Sequence, residues 1–339
     1  MMAPLPSPAL PVCILGTGEY RPSQAVPSTE LDVRWNKPAG WTRKHSGIDV
    51  RHFATGDETS SVMAAHAARM ALQRAGLCAV DLDAIVSACS VMEQPIPCTA
   101  ALVQRELGLG GSGIPAFDIN ATCLSLLAGL DLLSLAITAG RYRRVLLVSS
   151  EIASAGLPWH DPATAMLFGD GAAAAVLTSS EPGDHAAVLA CHFETYGDGA
   201  AFCQIRAGGT RLRVHDDAAQ FARGAVFEMD GKATYRMAAE RLPVFLQRLL
   251  DKAGVQQSDL AAIVPHQASD KALRHLQKLL QLPDAMLVRI LPERGNQMAA
   301  SVAVALHQGI MSGRLQRGDT IALVGSGAGL SFGGCVLRL

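Results

Sequence analysis

Cys123 closes a short polar bend, Asp118-Ile119-Asn120-Ala121-Thr122, and opens the apolar run 124–130. A bend of that kind before an apolar run predicts a strand end followed by a helix, with the sulfur at the helix N-terminus. There the positive end of the helix dipole and its unpaired N–H groups favour thiolate over thiol. The competing reading is a packed thiol, because free cysteine is among the most buried residue types. Two further residues shift the balance toward chemistry. His266 follows Pro265 at the expected end of a buried strand, and Asn296 follows the flexible Gly295 just ahead of an expected helix. Taken alone, His266 reads as a loop or capping residue and Asn296 as a turn or N-cap residue. Together with the thiol they form the set that acyl transfer through a thioester requires: a nucleophile, an imidazole and an amide donor.

Thioester chemistry also needs donors for an oxyanion, and Gly325-Ser326-Gly327-Ala328-Gly329 offers a backbone able to approach a ligand closely. A dinucleotide loop is the rival reading of that run. It fails because the third glycine of G-x-G-x-x-G falls on Leu330, and too little chain follows for the helix and ribose-binding strand. No G-x-x-x-x-G-K-[ST] occurs, which removes phosphate-loop NTPase chemistry. The 8 cysteines are scattered without a C-x-x-C pair or a histidine cluster at ligand spacing, so no metal site is expected.

The rest of the chain must bring these distant residues together, and it does so by repeating itself. Asp81-Leu82-Asp83-Ala84-Ile85-Val86 recurs 178 positions later as Asp259-Leu260-Ala261-Ala262-Ile263-Val264, with one residue changed. A second echo joins Gly140-Arg141 to Gly313-Arg314, 173 positions apart, each ahead of an apolar stretch. In the first half the spacing predicts helices over 62–75 and 121–139 and strands over 84–90, 116–119 and 145–150. In the second it predicts helices over 238–253 and 301–311 and strands over 262–265 and 320–325. Strands alternating with helices imply mostly parallel sheets, and near-continuous apolar strands imply burial on both faces. Two such halves stack as an α/β class body with α/β/α/β/α layers. Ligands collect beyond the carboxyl ends of strands, which places the site between the halves. The expected division is a flexible leader over 1–11, a half carrying the nucleophile over 12–178, and a half carrying His266 and Asn296 over 179–339.

Bulk properties bound the function. At 339 residues, 49% hydrophobic and 17% charged, the chain can bury a large core. Its 29 Lys+Arg against 30 Asp+Glu leave no basic footprint, so nucleic acid is not an expected partner. The most apolar segments, 145–150 and 171–176, are far shorter than the roughly 20 residues that cross a bilayer. The start lacks the charged-then-apolar order of a signal peptide, and the cytoplasm is the expected compartment. Disulfides are not expected there.

DINATC (118–123), FGDGAAAAV (168–176), VPHQAS (264–269), RGNQMAAS (294–301) and the closing GSGAGLSFGG occur in an order that resembles the β-ketoacyl-acyl-carrier-protein synthase III family of the thiolase superfamily. The likeness runs from about Val12 to Leu339 and includes Trp41 and Gly47-Ile48. It implies a thiolase fold, a homodimer and a catalytic triad of Cys123, His266 and Asn296. The implied reaction is ping-pong: Cys123 takes an acyl group from acyl-coenzyme A or an acyl carrier protein, and a malonyl thioester then loses carbon dioxide and attacks the acyl-enzyme. His266 and Asn296 would hold the malonyl thioester oxygen, and the amides of Cys123 and Ala328 the acyl oxyanion. No permanently bound cofactor is implied. The setting is fatty acid or specialised-metabolite biosynthesis. Two alternatives are an acyltransferase that hands the Cys123-bound acyl group to another acceptor, including a second acyl thioester, and a silent scaffold subunit.

Departures from the family pattern bear on substrate. Pro162 stands where an arginine usually helps clamp the coenzyme A adenine, and His45 where an arginine is common, beside Arg43 and Lys44. Ser269 replaces the asparagine of HQAN, and Leu124 a smaller residue beside the nucleophile. Lys271, with Arg274, offers a cationic patch for phosphopantetheine or an acidic carrier protein, and equally reads as a solvated helix face. Trp41, Lys271, Leu124 and Ser269 are the expected substrate contacts. Glu93, in the loop 91–97, reads first as a solvated loop carboxylate, with an extra base across a dimer interface, as in relatives that condense two fatty acyl thioesters, as the alternative.

Overall fold

The computed structural model describes residues 8–339. Two sheets hold the molecule. The first runs Val12–Tyr20, Gly171–Ser179, Arg144–Glu151, Ala84–Ser87, Ala116–Asp118. The second runs Ala187–Thr195, Ser331–Arg338, Thr320–Gly327, Ala262–Pro265. The orders correspond strand for strand. The second sheet's fifth position is reduced to a single parallel bridge between Ile263 and Leu287. In the first sheet Ile85 pairs with Ala116 at that place.

Alternation along each strand explains why the sheets are buried on both faces. Val145 and Leu147 point into the core between the sheets, while Leu146 and Val148 point to the outer face. In the second sheet Ile321 and Leu323 face the shared core, and Ala322 and Val324 face outward. Helices Ser125–Thr138 and Ala300–Met311 fill the layer between the sheets, and both are apolar around most of their circumference, as a helix covered on several sides must be. Helix Ser60–Ala75 covers the outer face of the first sheet. It lies close because Gly18 has no Cβ, which would stand 2.2 Å from the carbonyl of Ala67. Helices Gly231–Ala253 and Asp270–Leu279 cover the second sheet.

The expectation of mostly parallel sheets is corrected. The pairs 84–87 with 144–151, 84–87 with 116–118 and 262–265 with 320–327 are parallel, and the other four pairings within the two sheets are antiparallel. The tight return between Thr320–Gly327 and Ser331–Arg338 makes that pair antiparallel, whereas Val12–Tyr20 with Gly171–Ser179, and Ala187–Thr195 with Ser331–Arg338, pair antiparallel although several helices lie between them in the chain. The nucleophile helix starts at Ser125, not 121, because residues 120–124 are spent on a turn. Of the expected leader, 1–7 lie outside the described residues, while Leu10 exchanges two backbone hydrogen bonds with Val188.

Candidate active site

The nucleophile loop is a strained turn. Thr122 has φ 53°, a left-handed conformation that costs a non-glycine residue about 1–3 kcal/mol. Local hydrogen bonds hold it there. The Thr122 N–H donates to Asn120 Oδ1 at 2.9 Å, the Ala121 N–H to Ser125 Oγ at 2.9 Å, and Asn120 Nδ2 to the Ser90 carbonyl at 3.1 Å. The same turn recurs 176 positions later. Met298 has φ 49°, its N–H donates to Asn296 Oδ1 at 2.8 Å, the Gln297 N–H to Ser301 Oγ at 2.9 Å, and Asn296 Nδ2 to the Ala268 carbonyl at 3.3 Å. The duplication has therefore made two copies of one turn. Cys123 belongs to the first copy and Asn296 to the second.

FGDG is the clamp on the second turn. The Asn296 N–H donates to the Leu167 carbonyl at 2.8 Å and the Gly169 N–H to the Asn296 carbonyl at 3.1 Å. A Cβ on Gly169 would lie 2.2 Å from the Arg294 carbonyl, and one on Gly171 2.0 Å from Gln297 Nε2. Between them Asp170, fully buried, accepts from the Ala54 and Ser154 amides and from Ser154 Oγ, at 2.6 to 2.8 Å. Burial pushes its carboxyl up to about 6 despite these donors. Gly169→Ala is expected to displace the Asn296 turn, lower stability in urea unfolding by about 1–3 kcal/mol, and cut turnover about 100-fold while Cys123 still accepts an acyl group.

His266 sits at the end of strand Ala262–Pro265, where its N–H donates to the Val324 carbonyl at 2.8 Å. Its ring is buried and its Nδ1 has no partner among the described residues. Burial drives its pKa down to about 4, so the imidazole is neutral at physiological pH. The adjacent Gln267, fully buried, locks this strand end to the chain leading to Asn296: Oε1 accepts from Ile290 and Leu291 N–H at 3.0 and 3.1 Å, and Nε2 donates to the Pro265 carbonyl at 2.8 Å.

Strand Thr320–Gly327 brings the nucleophile loop and the histidine together. A Cβ on Gly325 would touch both His266 Cβ and Leu124 Cδ2, each at 3.0 Å. One on Gly327 would stand 2.7 Å from Thr122 Oγ1, which donates to the Ala328 carbonyl at 3.3 Å. The closing glycine run thus lets the His266 strand and the Cys123 turn share one backbone. The expected helix-terminal thiolate is corrected: burial, then the nearby Glu151 carboxylate, push the Cys123 thiol up to about 12. The sulfur lies two positions before the first helical residue, and desolvation outweighs the dipole. At rest the Cys123 sulfur is a thiol and the His266 imidazole is neutral.

The expected substrate contacts fall in several places. Trp41 opens helix Trp41–Ser46, with the His45 ring 4.4 Å from its own and Lys37 Nζ 5.1 Å above it. Beside it lies a groove of about 820 Å³ whose lining includes Arg43, Lys44, Asp270, Arg274 and Arg289. Lys271 Nζ lies 4.1 Å above the Tyr235 ring. Ser269 caps helix Asp270–Leu279, accepting the Ala272 N–H at 3.2 Å. Leu124 is buried in the core between the sheets. Pro162 begins a short helix capped by Asp161, and nearby the Arg34 guanidinium covers the Trp159 ring at 3.9 Å. Glu93 is held by its own chain: its carboxylate accepts the Ser61 N–H at 2.6 Å at the start of helix Ser60–Ala75. Sequence reasoning missed Gln267, Asp170, Ser90 and Glu151. The first two are adjacent to His266 or inside FGDG, and that adjacency was the available signal.

Two family models match the chain: 3-oxoacyl-[acyl-carrier-protein (ACP)] synthase III over residues 117–199 and its C-terminal counterpart over residues 250–339. Beta-ketoacyl-[acyl-carrier-protein] synthase III of Methylococcus capsulatus is 34% identical over 96% of this chain and 98% of its own. The chain belongs to the 3-oxoacyl-[acyl-carrier-protein] synthase III family. As a synthase III family member it is an acyltransferase, a condensing enzyme of the thiolase fold. The structure of the synthase III of Pseudomonas aeruginosa superposes with a TM-score of 0.88 at 34% identity, covering 96% of this chain and 98% of that one. The priming β-ketosynthase of the R1128 polyketide pathway gives a TM-score of 0.87 at 28% identity, over 99% and 98%.

Proposed function

We propose that this synthase III family member performs a decarboxylative condensation through an acyl thioester on Cys123. The carrying observation is the shared glycine strand: Gly325 lies against His266 and Leu124, and Gly327 against Thr122, so the nucleophile turn and the histidine meet on one backbone. In the first half-reaction the Cys123 sulfur bonds the acyl carbon of an acyl-coenzyme A or acyl-carrier thioester. Its proton passes to His266 Nε2 or Nδ1 and on to the departing thiolate. In the second, the malonyl thioester loses carbon dioxide, and the enolate carbon attacks the acyl carbon and expels the Cys123 sulfur. His266 and Asn296 donate hydrogen bonds to the malonyl thioester oxygen, and the amides of Cys123 and Ala328 hold the acyl oxyanion.

Arg43, Lys44, Arg274 and Arg289 line the groove near Trp41 with Asp49, Asp270 and Asp284, and the excess of positive charge suits the phosphates of coenzyme A or an acidic carrier protein. The working unit is a homodimer. Among the described residues strand Ala116–Asp118 is the outer strand of its sheet, and Ile96, Leu132 and Leu135 are exposed, at 84%, 53% and 52%. The 8 cysteines are free, which suits the cytoplasm.

Exposure of the purified protein to a panel of acyl-coenzyme A and acyl-carrier thioesters, followed by intact mass and peptide mapping, tests this reading. An acyl mass on the Cys123 peptide supports it; loading on another residue, or release of that acyl group only to an alcohol or amine, contradicts it. The neutral imidazole also fixes a pH dependence. The native pKa of about 4 lies below that of a free histidine, so His266 stays a proton acceptor as pH falls from 7 to 5. Cys123 loading rates are therefore expected to change less than about twofold over that range, whereas an ordinary histidine with a pKa near 6.5 gives a drop of more than about tenfold. Stopped-flow loading at each pH distinguishes the two.

A further inference from the structure

Strand Val50–Phe53 is tied to two parts of the molecule at once. Its end holds the FGDG clamp: the Asp170 N–H donates to the His52 carbonyl and the Ala54 N–H to Asp170 Oδ2, both at 2.8 Å. Along its length it pairs with strand Gln24–Pro27, which leads straight into helix Ser28–Arg34. Arg51, within the strand and fully buried, joins the two sides. Its Nη1 donates to the Met166 carbonyl at 2.7 Å and its Nη2 to Ser28 Oγ at 2.6 Å. Met166 stands next to Leu167, whose carbonyl takes the Asn296 N–H, and a Cβ on Gly169 would lie 3.2 Å from Arg51 Cβ.

From Ser28 the contacts run on to Trp41. The Ser28 hydroxyl donates to the Ile48 carbonyl at 2.5 Å, just past the end of helix Trp41–Ser46. One turn further along, Asp32, 2% exposed, grips the start of that helix. Its Oδ2 accepts the Gly40 N–H and its Oδ1 the Thr42 N–H, both at 2.7 Å, one on each side of Trp41.

Stability alone gives little reason for this arrangement. Both hydrogen-bond partners of the Arg51 guanidinium are neutral and its Nε has no partner among the described residues, so no contacting counter-charge offsets its desolvation. What the planar fork does supply is geometry, two fixed donors aimed at two different segments. We propose that Arg51 and Asp32 are positioning residues that hold the Trp41 helix and the Asn296 turn in one register, so that an acyl donor in the groove beside Trp41 and the amide that activates the malonyl thioester are placed by the same guanidinium. Asp32 fixes the Trp41 end alone; Arg51 fixes both. Neither acts on substrate directly.

This assignment rests on the proposed reaction for its kinetic readout, and hydrogen exchange tests it without turnover. Asp32→Asn keeps one acceptor and turns an amide group toward the other flank of Trp41. With the acyl-coenzyme A that loads best, it is expected to raise KM for Cys123 loading about tenfold and to leave single-turnover condensation of the loaded enzyme within about twofold. Arg51→Met, which fills the space without donors, is expected to shift both by about tenfold, and Arg51→Lys, with one ammonium in place of the fork, to recover one of the two. In the absence of substrate, exchange of the Gly40, Thr42 and Asn296 amides is expected to quicken together about tenfold in Arg51→Met, and at Gly40 and Thr42 alone in Asp32→Asn. Equal losses of loading and condensation in Asp32→Asn, or wild-type kinetics per folded molecule in Arg51→Met, overturn the assignment. If Arg51→Met does not fold, Arg51→Lys and Asp32→Asn decide by the same split. A wild-type enzyme that never loads Cys123 sinks the decarboxylative reading; the exchange pattern then decides the link alone, and quickening confined to one segment in Arg51→Met overturns it.

Discussion

Cys123→Ser is expected to leave the fold intact and lower condensation by at least about 10⁴-fold, as removal of a nucleophile does where the reaction runs through a covalent intermediate. The substitution changes one atom of a half-buried side chain, so thermal unfolding should stay close to wild type. The chemistry does not survive. A serine hydroxyl in the same desolvated place is far harder to deprotonate than a thiol already pushed up to about 12, and a neutral His266 is too weak a base to take its proton. Intact mass after incubation with the preferred acyl thioester should show no adduct. Turnover by the serine variant at more than about one-hundredth of the wild-type rate would place the acyl group elsewhere.

Asn296→Ala separates the two half-reactions. Asn296 sits in the second copy of the strained turn, clamped by the Leu167 carbonyl and the Gly169 N–H, and contributes nothing to the nucleophile turn itself. Loading of Cys123 is therefore expected to continue within a few-fold of wild type. Decarboxylation is expected to fall about 10²–10³-fold, the effect of removing one hydrogen-bond donor from a developing oxyanion. The loaded enzyme should accumulate and be visible as a stable adduct in the presence of malonyl thioester. Equal losses in loading and condensation would mean that the asparagine supports the turn and not the reaction. Because Asn296 Oδ1 also accepts the Met298 N–H, Asn296→Asp, which keeps that acceptor and loses the amide donor, is the control for turn collapse.

How much of this was legible in the sequence follows from what each signal measures. The repeat of Asp81–Val86 at Asp259–Val264 disclosed two related halves because both copies keep the same buried strand, and the structure places them at matching positions in the two sheets. The apolar spacing found helices Ser60–Ala75 and Ala300–Met311 to within two residues. Strand direction was not legible. Periodicity is the same for parallel and antiparallel neighbours, and Val12–Tyr20 pairs antiparallel with Gly171–Ser179, a strand far away in the chain.

At the site, residue types pointed to Cys123, His266 and Asn296, but the charge on the sulfur was misjudged. A helix terminus is visible in sequence; the burial of the sulfur and the proximity of Glu151, 28 positions away on another strand, are not. The same holds for Ser90, which matters only because the fold sets its carbonyl against Asn120 of the first turn and its hydroxyl against the Ala299 N–H after the second. The second strained turn at Met298 was hidden for a different reason: its copy kept Asn and Ser at the ends and changed the residues between, so DINATCLS and RGNQMAAS share little but the hydrogen-bonding pattern.

Single-turnover analysis of the pre-acylated enzyme with malonyl thioester labelled in its free carboxyl group tests the central claim most directly. Labelled carbon dioxide and β-ketoacyl product should appear together, at equal rates and in equal amounts, as the acyl mass leaves Cys123. An adduct that persists while carbon dioxide is released, or that leaves without any release, would contradict it.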